Sequence, residues 1–139
     1  ASLTEVLRYT LEAEQLFGIP VGIEGHYPTK HDIWLLSTWA EYQQLLESGA
    51  HYALDLSHLH IVATASGYVE WNLLRELLAS PQCIEVHLSG NDGSADQHHA
   101  LDVDAVPWWW SLMACVNPDA AIFSEGRQAI VSPMMSMCA

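Results

Sequence analysis

Basic side chains are scarce in this sequence. Its 139 residues include 17 aspartates and glutamates but only 4 lysines and arginines, and the formal net charge is −13. A protein that binds a phosphate backbone directly needs a basic stripe, which four scattered cations cannot form. An acidic surface is also repelled by anionic membranes. We therefore expect no direct binding to nucleic acid or to a membrane, although bound metal cations would reverse the charge locally.

Long apolar runs and closely spaced cysteines are missing as well. No run approaches the ~18 apolar residues of a membrane-spanning helix, and the first residues lack the basic-then-apolar layout of a signal peptide. Cys83, Cys115 and Cys138 contain no CxxC pair, a pattern typical of reduced thiols that serve as small core residues. These absences predict a cytoplasmic protein.

Several common catalytic signatures are also absent. The sequence contains no GxSxG, GxxxxGK[ST], HExxH or GxGxxG pattern. The usual signatures of serine hydrolases, P-loop proteins, zinc proteases and dinucleotide-binding proteins are therefore missing. Candidate chemistry must come from the acidic residues and from the 8 histidines.

Apolar residues are plentiful, at 50% of the sequence, which is enough to bury the core of a single domain over 1–139. Capping boxes predict helix starts at Ser2 and Thr38, and glycines predict the ends of those helices at Gly18 and Gly49. Strands are expected at 19–24, 52–56, 83–88 and 121–125. Further helices are expected at 69–79 and 104–115, and an irregular tail at 133–139.

Strands that alternate with helices form βαβ units around a parallel sheet, so the predicted fold class is α/β. Polar residues at the strand ends recur at intervals of 31, 32 and 38 residues, close to the ~31 residues per unit of a (β/α)₈ TIM barrel. Four βα units are half of such a barrel, with two unpaired sheet edges. This predicts a homodimer or a missing N-terminal barrel half. A small flavodoxin-like sheet is the alternative fold.

Ionisable residues stand at the end of every predicted strand. Because the carboxyl ends of parallel strands meet at one edge of a sheet, these residues are expected to converge: Glu24, Asp55, His87 and Glu125. Because side chains alternate between the two faces of a strand, residues on the opposite face are expected to pack against the helices: Ile23, Leu54, Val86 and Ile122. Three carboxylates in one place repel each other unless they are protonated or bind a cation. Two carboxylates and a histidine are ordinary ligands of a divalent metal ion, so a metal site is predicted.

A second group of potential ligands lies in the predicted loops after the second and third strands. His58 follows Asp55 by three residues, and Asp96 and His98 form an Asp-x-His sequence after His87. Such a sequence commonly presents two ligands to one ion, which indicates a second metal. Solvated loop histidines are the alternative interpretation of His58 and His98.

The order of these residues resembles the second half of the xylose isomerase-like TIM barrels, over almost the whole chain. Endonuclease IV uses the same ligand order for its zinc cluster. The resemblance implies that one ion is held by Glu24, Asp55, His87 and Glu125, and a second by His58, Asp96 and His98. Sugar epimerases of the superfamily share the first set around Mn²⁺ but lack the Asp-x-His pair.

A closer resemblance is to the multinuclear non-heme iron oxidases of the methanobactin biosynthesis type, which modify cysteines in peptides. The segments 54–63 and 85–90 are similar to strands six and seven of that family. This resemblance implies two or more divalent ions, with Fe favoured and Zn or Mn as alternatives, and a peptide or small-molecule substrate. The family's ligands from the first four strands are absent from this chain.

Three other functions remain open. A sugar isomerase would use Glu24 and Glu125 as paired acid and base across the metal. An endonuclease IV-like phosphodiesterase conflicts with the acidic charge unless its metals contact the phosphate. A non-catalytic metal-binding or assembly half-domain is the alternative outside the enzymes.

Overall fold

Four parallel strands form one sheet whose order follows the chain. The computed structural model describes residues 1–32 and 34–127, and within them the sheet order is β1-β2-β3-β4. The strands are β1 (Gly22–Glu24), β2 (His51–Asp55), β3 (Cys83–Leu88) and β4 (Ala121–Ser124). The predicted α/β class with a parallel sheet is confirmed. The flavodoxin-like alternative is wrong, because such a sheet reverses its order at a switch point and the described strands do not.

Helices connect the strands, and one precedes the sheet. They are α1 (Leu3–Phe17), α2 (Trp39–Ser48), α3 (Leu56–Ser66), α4 (Trp71–Ala79) and a 3₁₀ helix, Trp108–Cys115. Both predicted capping boxes are present, at Ser2 and at Thr38. Gly18 and Gly49 end α1 and α2 with φ of 69° and 73°, a left-handed conformation that glycine adopts without strain.

The sequence pattern does not predict α3, which begins directly after β2. Its buried residues, including Leu59 and Val62, lie on several sides of the helix, so the amphipathic period of a surface helix is lost. The Asp55 side chain caps the helix by accepting from the backbone N–H groups of Ser57 and His58, at 2.8 and 3.4 Å. His58 therefore lies in the first turn of a buried helix, and its interpretation as a solvated loop residue is wrong.

The predicted α-helix over 104–115 is wrong as well. A 3₁₀ helix begins at Trp108, after an extended Pro107 with ψ of 158°. Since a 3₁₀ helix aligns every third residue, Trp109 and Leu112 face the core together and are 1% and 2% exposed.

The helices cover one side of the sheet. Leu54 and Val86 point to that side and are fully buried, and Ile23 packs against the same core. The sequence predicts the same for Ile122, but this residue is 51% exposed because β4 is the edge strand of the described sheet.

A register shift on β3 decides which residues face away from the helices. Pairing passes from Tyr52 with Cys83 to Ala53 with Glu85, so one extra residue, Ile84, is accommodated on β3. The side of the sheet away from the helices is called the inner face here. It carries Glu24, Ala53, Asp55, Glu85, His87, Phe123 and Glu125.

The thiols agree with the interpretation of cysteine as a core residue. Cys83 is buried, and burial raises its pKa to about 12; Cys115 is partly buried, and both are free. Cys138 and the predicted tail 133–139 lie outside the described residues. Among the helices of the described ranges, none is long and apolar enough to cross a membrane.

Candidate metal centre

Charged side chains gather where the strands end on the inner face. Glu24 and Asp55 are the last residues of β1 and β2, His87 is the next to last of β3, and Glu125 follows β4. Nδ1 of His87 lies 3.3 Å from Oε1 of Glu24 and 3.5 Å from Oε1 of Glu125. Asp55 is the backbone partner of His87 on the neighbouring strand. The structure thus brings the four predicted strand-end residues together.

Asp55 is the most buried of these residues, at 1% exposed. Its Oδ1 accepts hydrogen bonds from the backbone N–H and the hydroxyl of Ser57, at 2.8 and 2.6 Å. Its Oδ2 has no hydrogen-bond partner anywhere in 1–32 or 34–127. One oxygen therefore fixes the carboxylate, and the other is left for a ligand.

Two groups of three potential ligands share Asp55. One atom each from Glu24, Asp55 and His58 lie within 4.8 Å of one another, and so do atoms from Asp55, His87 and Glu125. The resemblance assigns Glu24 and Asp55 to one ion and His58 to another. The geometry instead places His58 beside both of those carboxylates, so Asp55 is positioned to bridge two ions.

His58 is oriented by the protein backbone. Its Nδ1 lies 2.9 Å from the carbonyl oxygen of Gly25. Since a carbonyl only accepts, Nδ1 must carry the hydrogen, and in the neutral ring Nε2 is bare. Nε2 lies 3.4 Å from Oδ2 of Asp55 and 3.3 Å from Oδ2 of Asp96, so it either donates to Asp96 from a doubly protonated ring or binds a cation held by these carboxylates.

Asp96 and His98 extend the cluster toward solvent. Nε2 of His98 lies 2.7 Å from Oδ2 of Asp96, so this carboxylate joins His58 to His98. Oδ1 of Asp96 is buried and is unpaired within the described chain. His98 adopts a positive φ of 50°, which is uncommon for a residue other than glycine and is often found where function requires it.

His87 is surrounded by carboxylates. Burial lowers its pKa, but the hydrogen bond with Glu85 and the charges of Glu125, Glu24 and Asp55 outweigh burial, so the pKa is raised overall. A cation is therefore favoured at this position, as a proton on the ring or as a metal ion beside it.

An aromatic layer lies against His58. The ring centroid of Tyr27 lies 4.7 Å from that of His58. The ring of His26 stacks on that of His58 with a centroid distance of 5.7 Å. Burial and the charges of Asp96 and Asp55 raise the pKa of Tyr27, which keeps the phenol protonated. Sequence reasoning missed both aromatic residues, because neither belongs to a ligand pattern.

A cavity of about 330 Å³ adjoins the cluster through Ser57. Its walls include His60, Asn91 and Trp108, and the Trp108 indole N–H donates to Nδ1 of His60 at 2.9 Å. The same Ser57 donates to Asp55, so a molecule in the cavity would lie close to the candidate ligands.

The donor set fits divalent metal ions. Buried polar atoms in proteins nearly always have a partner, but in the described ranges Oδ2 of Asp55, Oδ1 of Asp96 and Nδ1 of His87 have none. Carboxylate oxygens with imidazole nitrogens, and without thiolate, suit Fe, Mn or Zn. The residues that could hold such ions are Glu24, Asp55, His58, His87, Asp96, His98 and Glu125.

Comparison with protein-family models, with curated proteins and with solved structures found no match to this chain.

Proposed function

We propose that this chain is the C-terminal half of a xylose isomerase-like TIM barrel and forms part of a multinuclear non-heme iron oxidase that modifies cysteine in a peptide. The observation that carries the proposal is Oδ2 of Asp55. This oxygen is buried, has no hydrogen-bond partner in the described chain and belongs to both groups of candidate ligands.

Two or more divalent ions account for the charge of the cluster. Glu24, Asp55 and Glu125 converge around one imidazole, and Asp96 adds a further carboxylate 3.3 Å from His58. So many carboxylates in a partly buried site repel each other unless cations neutralise them. The oxygen and nitrogen donors do not select zinc strongly, so iron is a credible occupant and zinc or manganese are alternatives.

The division of roles is the one that the resemblance implies. Glu24, Asp55, His87 and Glu125 would hold one ion, and His58, Asp96 and His98 a second. The geometry adds that Asp55 is shared between the two groups of candidate ligands. Ferrous iron with an open coordination position can bind and activate O₂. The chain's own residues supply orientation: Ser57 and the Gly25 carbonyl fix Asp55 and His58. The cavity beside Ser57 gives a substrate side chain a place next to the ions.

The barrel half is supported by the sheet order and by its edges. In a TIM barrel the strands follow the chain order, as they do here. Ile122 and Phe123 on β4 are 51% and 49% exposed, so this edge strand offers apolar surface to a neighbouring strand. A second copy of the chain, or the N-terminal half of the barrel, would close the sheet and add ligands. We also propose a cytoplasmic location, because the described thiols of Cys83 and Cys115 are unpaired.

Oxygen consumption tests the proposed function. The chain is loaded with Fe²⁺ without air, mixed with the capped peptide acetyl-Ala-Cys-Ala-amide, and exposed to O₂ with and without added N-terminal barrel half. We expect O₂ uptake that depends on the peptide and is abolished by His98→Ala. The exposed Asp104→Asn variant is the control and should behave as the unchanged chain. Turnover with Zn²⁺ alone, or uptake unaffected by His98→Ala, would reject the oxidase in favour of hydrolysis or isomerisation.

A further inference from the structure

Glu85 is the one acidic residue of the inner face within the described sheet that does not stand at a strand end. It lies two residues before His87 on β3, so the two side chains share a face. Oε2 of Glu85 lies 3.0 Å from Nε2 of His87. The strand neighbours of Glu85 are Ala53 and Ala121, whose small side chains leave its path to His87 open.

This contact determines how the imidazole of His87 is used. An ionised carboxylate only accepts hydrogen bonds, so Nε2 carries the hydrogen and donates it to Glu85. In the neutral ring the lone pair is then on Nδ1. That atom is buried and makes no hydrogen bond in the described ranges, yet it lies 3.3 Å from Oε1 of Glu24 and 3.5 Å from Oε1 of Glu125. A lone pair that faces two carboxylates is unfavourable, so Nδ1 either carries a proton or faces a metal ion.

His58 shows the same arrangement with its nitrogens exchanged. Its Nδ1 is held by the Gly25 carbonyl, and its Nε2 faces Asp55 and Asp96. Each histidine therefore has one nitrogen fixed by an acceptor outside the cluster and the other directed into it. Metal-ligating histidines commonly donate their second N–H in this way, to a carbonyl or to a carboxylate, which fixes the ring and makes it a better ligand.

We propose that Glu85 is a positioning residue of the metal centre: it holds Nε2 of His87, so that His87 coordinates through Nδ1 while His58 coordinates through Nε2. This inference rests on the proposed metal centre. It goes further because it assigns a role to a residue outside the ligand set and a ligand atom to each histidine.

The ligand atoms can be identified by NMR. The chain, labelled with ¹⁵N at histidine and loaded with ¹¹³Cd²⁺, should show scalar coupling from cadmium to Nδ1 of His87 and to Nε2 of His58. Coupling to Nε2 of His87 would overturn the proposal. A chain that binds no cadmium, Co²⁺ or Mn²⁺ would overturn the metal centre itself, and the role of Glu85 with it.

Substitution of Glu85 provides the second test, with Co²⁺ absorption and Mn²⁺ affinity as measurements. Glu85→Ala should weaken metal binding by about 10–100-fold, the usual effect of losing an outer-shell partner, and should change the visible spectrum of bound Co²⁺. Glu85→Gln keeps an acceptor for the Nε2 hydrogen, so it should retain the spectrum and most of the affinity. Glu76→Ala, at an exposed position of α4, is the control and should match the unchanged chain.

The outcomes separate the two levels of the proposal. If the unchanged chain binds metal and Glu85→Ala binds it equally well with the same Co²⁺ spectrum, the role of Glu85 is wrong and the metal centre stands. Far-ultraviolet circular dichroism of each variant shows whether it is folded. If Glu85→Ala does not fold, a comparison of Glu85→Gln with Glu85→Leu decides, since only the former retains an acceptor.

Discussion

The two faces of the sheet differ in what they bury. On the helix side, Leu54 and Val86 are fully buried under a continuous apolar core. On the inner face, the side chains of Glu24, Glu85 and Glu125 are 48%, 42% and 37% exposed and surround one histidine. Adjacent residues of one strand, such as Leu54 and Asp55, therefore face different surroundings: Leu54 packs in the apolar core, and Asp55 lies among charged side chains.

The pleat of the strands separates the apolar core from the charged side chains. The apolar side supplies the hydrophobic free energy that holds the domain together. The inner face gathers like charges, which repel each other unless a cation lies between them. Substitutions on the helix side should then change folding stability, and substitutions on the inner face should change metal binding.

The largest effect on folding is expected on the helix side. Leu54→Ala removes a fully buried side chain and should lower the free energy of unfolding by about 2–5 kcal/mol, through lost burial and the cavity left behind. Urea unfolding measures the loss, and Leu11→Ala on the exposed surface of α1 is the control. A change below about 1 kcal/mol would contradict the assignment of Leu54 to the core.

The second largest effect is expected on the inner face, where metal binding should stabilise the fold. A metal that binds only the folded chain should raise the free energy of unfolding by about 2.7 kcal/mol at a hundred times its Kd. Asp55→Asn should lose most of this gain. Without metal this variant should be at least as stable as the unchanged chain, because asparagine also caps a helix and a buried charge is removed. Thermal unfolding with and without Mn²⁺ provides the measurement; Asp104→Asn should keep the gain. Full stabilisation of Asp55→Asn would disprove a central role for Asp55.

A smaller effect is expected at the exposed start of α2. Thr38→Ala removes the side chain that caps α2 and should cost about 1 kcal/mol, without any change in metal affinity. Thr4→Ala, inside α1 and exposed, is the matched control and should change stability by only a few tenths of that amount. If Thr38→Ala weakened metal binding, the two faces would not be independent.

The smallest effect concerns the Cys83 thiol on the helix side. Burial raises its pKa to about 12, so the folded chain keeps the proton while the unfolded chain releases it near the ordinary thiol pKa. The folded state therefore binds more protons, and stability falls as pH rises above that ordinary value. In a Cys115→Ser/Cys138→Ser background, the remaining thiol should react with Ellman's reagent only after unfolding. Rapid reaction of the folded chain at pH 8 would contradict its burial.

The sequence was informative where local chemistry sets the structure. Ser2 and Thr38 predict helix starts because a side-chain oxygen followed by a glutamate satisfies free N–H groups whatever the tertiary context. The strand-end position of Asp55 follows from the same short-range logic, since a polar residue ends the apolar run 52–54. Alternation along β3 also places Glu85 beside His87, so the signal for this contact was present.

Other features depend on contacts distant in sequence and could not be predicted in this way. The helix α3 has no amphipathic period because the core surrounds it, and Ile122 is exposed because its strand is at the sheet edge. The orientation of His58 depends on the carbonyl of Gly25, 33 residues away. The sharing of Asp55 between two ligand groups likewise needs all four described strands in register.

Native mass spectrometry tests the metal centre and the barrel half in one measurement, because it reports bound ions and assembly together. The chain is prepared without chelator and without air, with and without added Fe²⁺. We predict a folded chain that carries more than one divalent ion, in a homodimer or in a complex with an N-terminal barrel half, and an Asp55→Asn variant that has lost them. A stable monomer that takes up no Fe²⁺, Zn²⁺ or Mn²⁺ would contradict the metal centre and the barrel half together.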